Sequence, residues 1–126
     1  MDDESVYTGT YQGDSVGLRR GTIWWADLPA PWGRRPVVLI ARNTAYRVLR
    51  TFAVAPLTTR IRRIPSSVVL EPPDDPVPNR CVISLDHIRV IESELLIDHV
   101  GQLSAERMAA VDQAIHFALG LDACPK

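Results

Sequence analysis

Residues 33–40, Gly33-Arg34-Arg35-Pro36-Val37-Val38-Leu39-Ile40, set two arginines at the mouth of an apolar run. Four consecutive aliphatic residues leave neither side of a strand open to water for long, so this segment reads as a strand in a core. The fold then depends on its neighbours. The arginines raise a separate question. Either they are solvated loop residues that mark where burial begins, or a fixed cation stands on a rigid edge to hold a phosphate.

Short apolar runs surround this strand, divided by turn residues. GTIWWADL predicts a strand near 21–27, and Pro29–Gly33 a loop. PVVLIAR is the second strand, TFAVAPL the third near 51–57 and SSVVLE the fourth near 66–71. The segment PPDDPVP at 72–78 holds four prolines and cannot be a central strand. RCVISLD predicts a fifth strand near 80–86. HIRVI continues it or forms a sixth, and a last strand falls near 97–101. Many short strands with regular turns indicate a small barrel or sandwich.

The period changes after residue 103. Ser104 is a good N-cap, with Glu106 in the first turn. Met108, Val111, Ile115, Ala118 and Leu119 then share one helical face, and Gly120 stands where a helix would end. The expectation is an amphipathic helix over 104–119.

Size and composition set further bounds. A chain of 126 residues with 46% hydrophobic residues suits one domain with one core. A flexible acidic tail is expected over 1–18, a folded domain over 19–122 and a short tail over 123–126. No apolar run is long enough for a transmembrane helix, and the acidic start MDDESVYTGT lacks the pattern of a signal peptide. These features predict a cytoplasmic protein without a membrane partner. Cys81 and Cys124 fit no zinc spacing, and His87, His99 and His116 are scattered, so no metal is expected.

The net charge of −1 conceals a pattern. Residues 28–70 carry eight arginines and no acid, whereas residues 71–126 carry ten acids and four bases. Local field governs phosphate binding, so this block is either a cationic patch or a set of arginines pointing different ways around a barrel.

Candidate chemistry is sparse. Gly-rich phosphate loops, nucleophile elbows and HExxH are all missing from the sequence. Ser84, Asp86 and His87 cluster, but strand alternation would put Ser84 and Asp86 on one face and His87 on the other. Arg35 precedes Pro36, which biases its backbone toward extended conformations. Thr58 and Thr59 follow the third strand's apolar run and precede Arg60, Arg62 and Arg63. If strands two and three pair antiparallel, Arg35 approaches Thr58. A guanidinium beside a hydroxyl can stabilise an oxyanion or phosphorane. A turn and a solvated loop are the alternatives for these two positions.

Five blocks in order resemble the MazF/PemK toxin family: RGTIWWADLP at 20–29, GRRPVVLI at 33–40, AVAPLTT at 53–59, SLDHIRVIESELL at 84–96, and VGQLS at 100–104 with a helix ending ALGL. The resemblance covers about residues 19–121. It implies an SH3-like small β-barrel of about six to seven strands with a C-terminal amphipathic helix, acting as a homodimer. It also implies a toxin of a toxin–antitoxin pair that cuts single-stranded RNA at short motifs, without metal or other cofactor. The RNA's own 2′-hydroxyl would attack the adjacent phosphate, leaving 2′,3′-cyclic phosphate and 5′-hydroxyl ends. The family's catalytic arginine falls on Arg35 and its catalytic threonine on Thr58. Arg34, Thr59, Arg60, Ser84, Asp86 and His87 are then candidate substrate contacts, with Arg34 at the groove edge. The family often has glutamine at the position of His87. The loop over 28–34 is shorter than in many relatives and lacks their acidic and lysine residues, which bears on the RNA motif. Trp24 and Trp25 alternate, so one is expected inside and the other toward an interface. A cognate antitoxin with an acidic, flexible tail is the implied partner.

The same barrel also serves toxins of the CcdB type, which poison DNA gyrase without cutting anything. In that alternative the terminal helix carries the function and Arg35 and Thr58 are free to vary.

Overall fold

A computed structural model of the chain describes residues 17–121. Seven strands form one antiparallel sheet: β1 (Thr22–Asp27), β2 (Arg34–Leu39), β3 (Thr51–Thr58), β4 (Ser67–Leu70), β5 (Cys81–Ser84), β6 (Arg89–Glu92) and β7 (Leu96–Gln102). A four-residue helix, α1 (Ala45–Val48), links β2 to β3, and α2 (Ala105–Leu119) closes the chain. The pairing path runs β4-β5-β3-β2-β1-β7, and β6 also pairs with β3. The expected barrel is therefore open: no pairing joins β4 to β7 among the described residues. Instead α2 lies against β4 and the turn after β5.

Strand β3 is the hub because it is long. Its first half, Thr51–Val54, pairs with β6, and its end, Leu57 and Thr58, pairs with β5. Its other edge pairs with β2. Period-two alternation sends its side chains into two separate cores. Val38, Ile40, Ala55, Leu57 and Ile83 join a first cluster, which Val111 and Ala114 of α2 cover. Val37, Leu39, Phe52, Val54 and Ile91 join a second, around Tyr46 of α1. This explains the unbroken apolar run at 37–40: odd residues fill one core and even residues the other.

Leu18, assigned by the sequence to the tail, is buried in the second cluster. Residues 1–16 and 122–126, including Cys124, lie outside the described part. The Ser104 hydroxyl accepts the Arg107 N–H at 3.1 Å, as a cap should. Leu119 corrects the helix reading, since it is 58% exposed while Ala114 is buried. The inner face is narrower than the sequence pattern, and Phe117, Leu119 and Leu121 form an exposed apolar end.

The proline-rich loop is clasped to α2. Buried Asp75 accepts Arg107 Nε at 3.0 Å and Nη2 at 3.0 Å, and also the Glu71 N–H at 2.9 Å. Gly101 on β7 admits this loop, since a Cβ there would lie 2.5 Å from Pro76 Cβ. Burial alone would push the Asp75 carboxyl up. The Arg107 hydrogen bonds, the Glu71 N–H and the guanidinium charge outweigh it and hold the carboxyl below its ordinary value of 3.8. A carboxyl depressed by folding stabilises the fold above its unfolded pKa and loses that contribution as pH falls through the folded value. Asp75→Asn should therefore cost about 2 kcal/mol at neutral pH, read from urea unfolding. The gap between variant and wild type should close below the ordinary carboxylate range. Burial, and after it Asp75, push the Cys81 thiol up to about 11. In a Cys124→Ser background, Cys81 should resist a thiol reagent at neutral pH and react once urea unfolds the chain.

Candidate active site

The second face of the sheet changes character along β3. At Phe52 and Val54 it is core; at Thr58 it is polar and half-exposed. The β2–β3 register places Val37 opposite Pro56. Carried two residues further, it sets Arg35 across from Thr58. On the other edge Thr58 pairs with Val82, and Ser84 of β5 pairs with Ser67 of β4. Strand alternation thus puts Arg35, Thr58, Ser84 and Ser67 on one surface. They line an open cleft of about 430 Å³, with Arg60, Arg62 and His87 at its border.

Arg35 is held by carbonyls and an aromatic ring. Its Nε donates to the Trp32 carbonyl at 3.1 Å and its Nη1 to the Leu57 carbonyl at 3.3 Å. Its guanidinium carbon stands 4.9 Å from the Trp32 ring centre, within cation–π range. Gly33, at φ 68°, turns the chain sharply between this tryptophan and its arginine. Thr58 Oγ1 accepts the Arg60 N–H at 3.2 Å. One of the hydroxyl's two lone pairs is thereby engaged, and its proton remains for donation.

At the far wall Ser84 Oγ and His87 Nδ1 are 2.7 Å apart. The expected alternation of Ser84, Asp86 and His87 does not occur. Strand β5 stops at Ser84, and Leu85–His87 make a 3-10 turn. That turn brings His87 back to Ser84 and swings Asp86 to the buried Ser66, whose hydroxyl donates to it at 2.6 Å.

Other sequence candidates fall elsewhere. Arg34 pairs with Asp27, and alternation turns it to the face opposite Arg35, away from the cleft. Thr59 borders a second, smaller cleft of about 140 Å³, with Trp25, Pro36 and Cys81; Thr58 borders both clefts. Trp24 and Trp25 lie on opposite faces, both half-buried. Trp24 packs against the second cluster and edge-on to His99 at 5.1 Å.

Trp32 escaped the sequence reading, although it contacts more of the site than any residue singled out there. Besides Arg35, its ring meets His87 at 5.2 Å and the Arg89 guanidinium at 5.8 Å. An aromatic two positions before a strand's first charge, in a loop too short to bury it, was the available signal. Arg89 shares the cleft's face, opposite Val54.

Comparison with known proteins agrees with this architecture. A family model for the PemK-like, MazF-like toxin of type II toxin–antitoxin systems matches residues 19–119. The chain is 42% identical over 100 residues to the probable endoribonuclease MazF5 of Mycobacterium tuberculosis, covering 79% of this chain and 91% of that protein. Among solved structures, a mycobacterial endoribonuclease in complex with its cognate antitoxin superposes with a TM-score of 0.76 at 27% identity, over 86% of this chain and all of that one. The Mycobacterium tuberculosis toxin MazF-mt6 gives 0.73 at 28% identity, over 81% and 99% of the two chains. Motif order, sheet topology and these matches together place the chain in the PemK/MazF toxin family.

Proposed function

We propose that this toxin is an endoribonuclease that cuts single-stranded RNA at short motifs, with Arg35 and Thr58 holding the scissile phosphate. The carrying observation is their juxtaposition across β2 and β3 at one end of a cleft bordered by further arginines. In the reaction the 2′-oxygen attacks phosphorus and the bond to the 5′-oxygen breaks. The products are a 2′,3′-cyclic phosphate and a 5′-hydroxyl. A guanidinium is a poor base but a good electrostatic partner for the charge growing on the phosphoryl oxygens. The Thr58 hydroxyl donates to one of those oxygens. Arg60 and Arg62 attract the neighbouring backbone phosphates. The nucleophile comes from the RNA and the charge stabilisation from arginine, so the scheme assigns no role to a metal or other cofactor.

The same reading supplies the partners. An antitoxin with a flexible acidic segment would cover the arginine-lined cleft and compete with RNA. A second copy of the chain would cover exposed apolar surface such as Phe117, Leu119 and Leu121, giving a homodimer. The setting is the cytoplasm, where the RNA is; no helix of the described residues is long and apolar enough to cross a membrane.

The test is cleavage of a long single-stranded RNA in EDTA, with mapping of the cut ends. Wild type should cut at a recurrent motif and leave 5′-hydroxyl ends. Arg35→Ala and Thr58→Ala should each lose at least about 10²-fold in rate. Arg34→Ala, on the opposite face, should lose less than about tenfold, as long-range charge alone would give. Full cleavage by both site variants would refute the assignment. Toxicity without any RNA cleavage would point to a binding poison.

A further inference from the structure

We propose that His87 is the proton acceptor for the attacking 2′-hydroxyl, oriented for that task by Ser84. The inference rests on the ribonuclease reading and assigns a step which Arg35 and Thr58 leave open. An arginine stays protonated and a threonine is a weak base, so neither can take the proton at neutral pH. Imidazole titrates close to physiological pH and is the side chain best matched to the work.

Three observations carry the assignment. His87 borders the same cleft as Arg35 and Thr58. Its Nδ1 lies 2.7 Å from Ser84 Oγ, so one ring nitrogen is engaged and the ring is aimed. With Nδ1–H donating to Ser84 Oγ, Nε2 keeps its lone pair, and Nε2 has no hydrogen-bond partner among the described residues. Finally, the imidazole and the Arg35 guanidinium pack on one aromatic ring, 5.2 and 4.9 Å from its centre. They can be no farther apart than those two distances combined, a span that a nucleotide's ribose and phosphate can bridge. Both groups thus rest on one aromatic ring, within a nucleotide's span of each other, as proximity in a shared site requires.

The charged groups around the imidazole are Arg35 on β2, Arg60 and Arg62 on the loop after β3, Arg89 on β6 and Asp86 in its own turn. Asp86 is the rival base. Its carboxylate already accepts the Ser66 hydroxyl, which engages one of its oxygens. The step balances simply. The 2′-hydroxyl proton passes to Nε2 as the O2′–P bond forms. The P–O5′ bond breaks, and the departing 5′-oxygen takes a proton from water. The imidazolium then returns its proton to solvent.

The experiment is single-turnover cleavage of an oligoribonucleotide spanning the mapped cut site, from about pH 5 to pH 9. Wild type is compared with His87→Gln, Asp86→Asn and His87→Gly with added imidazole. Wild type should show a rate that rises with pH and levels off. His87→Gln should fall about 10²-fold at neutral pH and lose the rising limb. Imidazole should restore cleavage to His87→Gly. Binding of the 2′-deoxy oligonucleotide, which lacks the nucleophile, checks that each variant is folded with an intact site. A His87→Gln enzyme that keeps the wild-type pH profile, whatever its rate, overturns the proposal. Loss of the limb in Asp86→Asn instead gives the role to Asp86, and loss of deoxy-oligonucleotide binding makes His87 a binding group. Wild type that fails to cut any RNA overturns the ribonuclease reading itself.

Discussion

The structure depends on one constraint: β2 and β3 must bury side chains on both faces at once. Val37 and Leu39 enter one core and Val38 and Ile40 the other. A one-residue slip between these strands would exchange the two sets and empty both cores. Register is therefore held by burial over the whole of 37–40 and 52–57. That rigid pairing aligns Arg35 with Thr58 beyond the last apolar pair, because their positions follow from residues that cannot shift. The site needs no dedicated scaffold. It is what the second face becomes when apolar side chains give way to polar ones.

The elements around the sheet carry secondary duties. The loop before β2 brings Trp32 over the end of the strand, where its carbonyl and ring both hold the adjacent guanidinium. The 3-10 turn after β5 folds His87 back toward the same ring and ties Asp86, still at the cleft's border, to Ser66. The proline-rich loop behind the first core is tied to α2 by Asp75 and Arg107. Each device fixes a side chain through backbone geometry or a buried partner, so Arg35 and His87 have less freedom left to lose on binding than the exposed Arg60 and Arg62 at the cleft's border.

Strand positions and the final helix were legible in the sequence because they rest on local signals: apolar period, proline punctuation and a serine cap. The meeting of Arg35 with Thr58 was legible too, as soon as two neighbouring strands were taken as antiparallel. What escaped involved breaks in period. Ser84, Asp86 and His87 alternate only if the strand continues, and a three-residue turn cancels the rule. Leu119 fits the helical stripe but lies past the last point where α2 has a partner. Arg34 shares its neighbour's charge and not its face. Trp32 sits in an irregular loop, where neither period assigns a direction. Leu18 precedes the first strand and is ordered only by a cluster built from distant segments.

The anchoring of Arg35 has a consequence for how the site responds to its medium. Its hydrogen-bond partners are neutral carbonyls, not a carboxylate, so the guanidinium is fixed in place without being discharged. Dissolved ions screen attraction between exposed charges over roughly 10 Å at moderate ionic strength, but they barely touch short bonds to peptide oxygens. Added salt therefore weakens the pull of the arginine-rich surface on a polyanion and leaves the aim of the central cation as it was. Under the proposed function, the ionic medium would set how often an RNA strand arrives, and the peptide backbone the geometry it meets.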